Sequence, residues 1–184
     1  KQRHHPDRGR VARLEVLTAG DRKELYAMQP PTRAYPRSES MLAGFRAQVA
    51  RRAGHPAIEW QGRVLSYSAL DQRSNQLAHA LRARGVGRGQ RVGLCLPRSA
   101  DLLVAVIAVL KAGGTYVPLD PAFPAARLGY YAQDAGLALL VTDSTVTTAP
   151  RQWREDAAAR VFEIDLQTDW FKQPVTALAA DARD

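Results

Sequence analysis

The side chains able to do chemistry are few and scattered. The chain holds one cysteine, Cys95, flanked by Leu94 and Leu96. A thiol in a short apolar strand is a small core residue and not an activated nucleophile. His4 and His5 are adjacent in a polar stretch, His55 and His79 stand alone, and none has the spacing of metal ligands. Glu155-Asp156 is an adjacent acidic pair on a helix expected to be solvated. No G-x-x-x-x-G-K-[ST] phosphate loop occurs. Gly85-Val86-Gly87-Arg88-Gly89 is glycine-rich, but it runs from a helix C-terminus into a strand. A phosphate loop runs the other way, from a strand into a helix N-terminus whose free N–H groups meet the anion. These glycines are read as a helix stop and a turn. Lys111 could face a phosphate, yet it lies at the end of a helix, where a cation stabilises the negative pole of the dipole. Its expected role is structural, and no catalytic, cofactor-binding or metal-binding residue is assigned.

The elements that would position these residues follow from periodicity and caps. Residues 1–38 read as a polar, Arg-rich interdomain linker, with a short helix over Ala19–Met28 and prolines at 30, 31 and 36 that forbid a regular helix there. Ser40 caps a helix carrying Leu42, Phe45 and Val49, closed by Gly54. Ala57–Trp60 and Arg63–Leu65 flank Gln61-Gly62 as a β-hairpin. A helix over 66–84 presents Leu70, Leu77 and Leu81 on one stripe. Strands at 91–96, 115–117, 137–142 and 161–164 then alternate with helices at 99–112, 125–135 and 151–159. The helix 99–112 is apolar nearly all round and is expected to be buried on most sides. Such β-α-β alternation predicts an α/β fold of parallel strands with right-handed crossovers, joined to the hairpin.

Composition bounds the function classes. The chain has 184 residues, 46% of them hydrophobic, which suits a globular domain with a core. Its longest uninterrupted apolar run, Leu102 to Leu110, is bounded by Asp101 and Lys111. That is about half of the ~20 residues a membrane helix needs, so no membrane partner is expected. The chain opens on Lys1 and has methionine only at 28 and 41, so it is expected to be part of a longer chain. The net charge of +8 is uneven: residues 1–100 carry 19 basic against 7 acidic side chains, and residues 101–184 carry 7 against 11. The arginines are spread singly apart from Arg51-Arg52 and lack interleaved stacking aromatics, so a solvated basic face is expected and not a nucleic-acid site.

Two stretches are distinctive: Leu65-Ser66-Tyr67-Ser68-Ala69-Leu70 and Leu110-Lys111-Ala112-Gly113-Gly114-Thr115-Tyr116-Val117-Pro118-Leu119-Asp120-Pro121. At these residues the chain resembles the adenylation domains of nonribosomal peptide synthetases, within the adenylate-forming, AMP-binding ligases. The family pattern is Leu-Thr/Ser-Tyr-x-Glu-Leu at the first and Leu-Lys-Ala-Gly-x-Ala-Tyr-Val-Pro-Ile/Leu-Asp at the second, where Thr115 replaces the usual Ala. Pro124-Ala125-Ala126-Arg127-Leu128 and Asp134-Ala135-Gly136 continue the resemblance, and Leu17-Thr18-Ala19-Gly20-Asp21-Arg22 with Tyr35-Pro36 is similar to the linker after a condensation domain. One departure has a physical cost. Ser66 keeps its half of a capping box, but Ala69 stands where Glu would return the hydrogen bond, a loss on the order of a kcal/mol or less.

The resemblance implies an N-terminal part of an adenylation domain over residues 39–184, incomplete at its C-terminal side, in a cytoplasmic multidomain enzyme. It implies ATP, Mg²⁺ and a carrier phosphopantetheine for the full enzyme, with none bound by this part. It implies as partners the rest of the adenylation domain, an upstream condensation domain and a downstream carrier domain. Leu65, Ser66, Tyr67, Leu70, Leu110, Lys111, Ala112, Gly113, Tyr116, Val117, Pro118 and Asp120 are framework residues on this reading. The family's phosphate loop is expected to follow Asp184, so the chain alone is expected to be inactive. The alternatives are a non-catalytic truncated domain serving as a docking scaffold, a piece of an acyl-CoA synthetase, and a basic nucleic-acid binder.

Overall fold

The computed structural model describes residues 17–30, 39–148 and 161–178. The expected helix at 151–159 and the Glu155-Asp156 pair lie outside the described residues, as do His4 and His5. The chain divides into two units, Lys1–Ser38 and Glu39–Asp184. In the first, helix α1 spans Ala19–Met28 and begins with a reciprocal capping box: the Asp21 amide donates to Thr18 Oγ1 at 3.2 Å, and the Thr18 amide donates to Asp21 Oδ2 at 2.8 Å.

The second unit opens with α2 (Met41–Arg52), whose first turn is capped by Ser40 through the Ala43 amide at 3.2 Å. Strands β1 (Pro56–Trp60) and β2 (Arg63–Ser66) pair antiparallel. Gln61 and Gly62 between them have φ of 48° and 73°, the two left-handed residues that a tight hairpin turn requires. Helix α3 (Tyr67–Ala83) buries Leu70, Leu77 and Leu81.

Four further strands follow: β3 (Arg91–Cys95), β4 (Thr115–Pro118), β5 (Leu139–Thr142) and β6 (Val161–Glu163). They form one parallel sheet in the order β4-β3-β5-β6. Helix α4 (Ala100–Lys111) joins β3 to β4, and α5 (Ala125–Asp134) carries the chain back across β3 to β5. The two connections run in opposite directions, so crossovers of one hand place α4 and α5 on opposite faces. The core divides accordingly. Val92, Leu94, Val141 and Phe162 pack with α3 and α4, whereas Cys95 and Leu140 pack with Leu128 and Ala132 of α5. The fold is α/β with parallel strands and a hairpin. Pro118, which has no N–H to give a ladder, sits on the edge strand.

Helix α4 is less enclosed than its composition suggests. Val104, Ala105, Ala108 and Val109 are buried, but Leu103 is 44% exposed and Leu102, Val106, Ile107 and Leu110 are half-buried. One face meets the sheet and α3, and the opposite flank is only partly covered among the described residues.

Candidate functional site

Helices α3 and α4 form the largest helix–helix contact of the second unit, and Lys111 lies within it. Its side chain is 4% exposed and its three N–H groups face four acceptors, Asp71 Oδ1 at 2.7 Å, the Asp71 carbonyl at 3.0 Å, Ser74 Oγ at 2.8 Å and Asn75 Oδ1 at 2.7 Å. Nζ also stands 5.4 Å from the centre of the Phe45 ring, brought in by α2. Asp71, Ser74 and Asn75 share one helical face because they lie three and four positions apart. They cut a polar notch into an otherwise apolar stripe, and that break was the available signal for residues that sequence reasoning passed over. Burial pulls the Lys111 ammonium below the ordinary lysine value of 10.5, and the Asp71 carboxylate opposes it.

The cation at the C-terminal end of α4 is another one. Arg82 of α3 donates through Nη1 to the Ala112 carbonyl at 3.1 Å, while Lys111 turns sideways into α3. The stop beyond it is built from two glycines. The Gly114 amide donates to the Val109 carbonyl at 2.9 Å and the Gly113 amide to that of Leu110 at 3.0 Å, the paired bonds of a Schellman end. Gly113 has φ of 83°, and a Cβ on Gly114 would stand 2.9 Å from Val86 Cγ1, so each glycine has its own reason.

The other motif residues are placed as follows. Leu65, Ser66 and Tyr67 are half-buried where β2 enters α3, and the Ser66 Oγ accepts from the Ala69 amide at 3.2 Å. Tyr67 lies 6.5 Å from Phe45, ring centre to ring centre, and Leu70 and Ala112 are buried. Tyr116 is 37% exposed on the sheet edge, Val117 packs toward α5, and Asp120 accepts from the Ala122 amide at 2.9 Å to fix the turn after β4. Two residues outside both motifs also matter locally. Cys95 is buried, and burial pushes its thiol up to about 11, so it is protonated and inert near neutrality. His79 hydrogen-bonds the Thr176 carbonyl at 3.0 Å.

In an open α/β sheet the default ligand crevice lies beyond the carboxyl ends of the strands where the connections diverge. Here that point falls between β3 and β5. Several of its polar groups, main-chain and side-chain, bond to one another. Thr142 Oγ1 donates to the Cys95 carbonyl at 2.9 Å, and the Ser144 amide and hydroxyl bond Asp165. Among the described residues no group of three or more His, Cys, Asp and Glu could hold a metal. The glycine turns at 85, 113 and 136 all follow helix C-termini, where carbonyls and the negative dipole end would repel a triphosphate. These residues do not fit ATP or Mg²⁺, and no chemical step is assigned to them.

A family model described as AMP-binding enzyme matches residues 45–183. The chain belongs to the AMP-binding enzyme family. It is 39% identical over 133 residues to bacitracin synthase 3 of Bacillus licheniformis, covering 72% of this chain and 2% of that protein. It is 42% identical over 135 residues to AMB antimetabolite synthetase AmbB of Pseudomonas aeruginosa, covering 73% of this chain and 11% of that protein. The structure of the nonribosomal peptide synthetase FmoA3 with α-methyl-L-serine-AMP bound superposes with a TM-score of 0.69 at 28% identity, over 79% of this chain and 16% of that one. The chain thus spans a small part of each relative's length. Its α/β architecture matches the N-terminal portion of the adenylate-forming structures in the AMP-binding enzyme family. Among the described residues no helix is long and apolar enough to cross a membrane.

Proposed function

We propose that residues 39–184 are the N-terminal part of a nonribosomal peptide synthetase adenylation domain, and that residues 1–38 link it to a preceding condensation domain. The larger enzyme binds an amino acid, ATP and Mg²⁺. A carboxylate oxygen of the amino acid bonds to the α-phosphorus, and the bond from that phosphorus to the bridging oxygen of the β-phosphate breaks, so that pyrophosphate leaves. The acyl group then passes to the phosphopantetheine thiol of a downstream carrier domain, releasing AMP. The enzyme works in the cytoplasm. What carries this reading is the family match over residues 45–183, together with likeness to bacitracin synthase 3, to AMB antimetabolite synthetase AmbB and to the structure of the nonribosomal peptide synthetase FmoA3.

The twelve motif residues serve as framework in this proposal, with Lys111 joining α3 to α4 and Gly113-Gly114 setting the α4–β4 turn. Adenylyl transfer needs donors and a cation aimed at the developing charge; the twelve framework residues are not given that role in this reading, which takes the isolated chain to be inert. The test is ATP–pyrophosphate exchange with each proteinogenic amino acid. The isolated chain gives no amino-acid-dependent exchange, and the chain extended by the downstream sequence of its own gene gives exchange with one or a few amino acids. Exchange from the isolated chain overturns the inertness. An extended protein that forms a CoA thioester from a simple carboxylic acid, and exchanges with no amino acid, overturns the peptide-synthetase reading.

A further inference from the structure

We propose that Lys111 is a positioning residue: acting through the Asn75 amide, it holds the segment from Phe171 to Leu178 against α3. Lys111 Nζ donates to Asn75 Oδ1 at 2.7 Å, and Asn75 Nδ2 donates to the Val175 carbonyl at 2.6 Å, 100 positions away in sequence. An ammonium can only donate and a peptide carbonyl can only accept. The two contacts therefore lock one orientation of the Asn75 amide; the flipped amide would set its NH₂ against Nζ and its oxygen against the Val175 carbonyl. Asn75 is 2% exposed, so water is a poor substitute for either partner.

The held segment is fixed mainly by side chains of α3 and by the stacking of Phe171 on Trp170, ring centres 3.9 Å apart. It is irregular beyond Lys172, and Phe171 and Val175 are 45% and 48% exposed. Apolar burial stops at Trp170, which is buried and donates its indole N–H to the Ile164 carbonyl at 2.9 Å, and resumes only weakly at Leu178. Between these points the α3 side chains take the carbonyls in turn. Gln76 Nε2 donates to Phe171 and, at 3.2 Å, to Gln173; Asn75 takes Val175; His79 Nε2 takes Thr176 at 3.0 Å. Asn75 is the one of the three that is buried and that itself receives a charged donor. Such a strap opens locally, independently of the sheet. This inference goes beyond the proposed reaction and holds whatever the enzyme adenylates.

The test is site-resolved trypsin cleavage of the folded 184-residue chain, followed by mass spectrometry, in Lys111→Met and Asn75→Asp. The first retains an apolar side chain beside Phe45 but has no donor for Asn75. The second keeps an acceptor for Nζ and loses the donor to Val175. Each is expected to raise the rate of cleavage after Lys172, relative to cleavage after Arg91 in β3, by about tenfold. A ratio that is unchanged or lower in either variant overturns the proposal, because losing a residue that only stabilises the core would speed cleavage at Arg91 as much as at Lys172. Should Lys111→Met not fold, Lys111→Gln is measured in its place beside Asn75→Asp: a raised ratio in both upholds the proposal and an unchanged ratio in either overturns it. Neither readout involves ATP, so failure here is separate from failure of the exchange assay.

Discussion

At Lys111 burial and partner charge oppose each other, and burial prevails. Its ammonium loses its proton at a lower pH in the folded chain than in the unfolded chain, whose value is 10.5. Between those two values the unfolded state binds more protons, so this group's contribution to stability grows as pH rises. The stability difference between the native chain and Lys111→Met should therefore shift toward the native chain between neutral pH and pH 10.5. Urea unfolding of both proteins at the two pH values measures it, and a shift the other way contradicts the burial argument. The Cys95 thiol, pushed up to about 11, titrates in both proteins and cancels from the comparison. Lys111 also shows where helix-end reasoning reached its limit. A lysine in a last turn is a reasonable partner for the dipole, but Arg82 already holds the Ala112 carbonyl and α3 offers four acceptors to the side.

Among the elements, α3 and β3 carry the most consequence. Ser66 gives α3 one side-chain cap and Ala69 cannot return the second bond, so that cap depends on a single hydroxyl. Ser66→Ala should cost about 1 kcal/mol, within the usual range for a lost N-cap, read as a lower urea midpoint. In β3, Gly93 faces the α5 side without a side chain. A Cβ there would meet Leu137 Cδ1 at 2.6 Å, Leu140 Cδ1 at 3.0 Å and Leu119 Cδ1 at 3.2 Å. Each methyl could shift alone, but three must move together in a packed layer, so Gly93→Ala should cost about 1–3 kcal/mol. A midpoint equal to that of the native chain would show that this layer is looser than its distances imply. A glycine inside a strand is itself a sign of close approach. What the sequence withheld was the identity of the approaching side chains, since those come from β4's exit, the α5–β5 turn and β5.

At the scale of the whole chain, some of the singly spaced arginines find partners within the fold. Arg73 pairs with Asp101 at 2.6 Å, Arg84 reaches Gln167 at 2.9 Å and stands 4.5 Å from the Phe162 ring centre, and Arg127 donates to Tyr131 at 2.7 Å. Arg73 and Arg84 tie α3 to other elements, while the Arg127 bond stays within α5. The more telling surface is apolar. Leu103 on α4 and Val64 on the hairpin are 44% and 58% exposed, in a unit that belongs to a larger family domain. Leu103→Lys should leave the unfolding free energy within about 0.5 kcal/mol of the native chain, read by urea titration, and reduce binding of a hydrophobic dye. A large loss of stability would mean that Leu103 contributes more to the core than its exposure indicates.

The short-range rules were legible from the chain alone. Ser40 and Ser66 cap helices and Gln61-Gly62 turns the hairpin, each through atoms within a few residues of one another. The parallel sense of the strands and the family itself were equally readable, from alternation and from the Lys111–Asp120 motif. The strand order β4-β3-β5-β6, the half-open flank of α4 and the bond from Asn75 to a carbonyl 100 positions away were decided only in three dimensions. Caps and turns are satisfied by neighbours along the chain. A buried ammonium and a strand glycine are satisfied by whatever distant segments the packing brings to them.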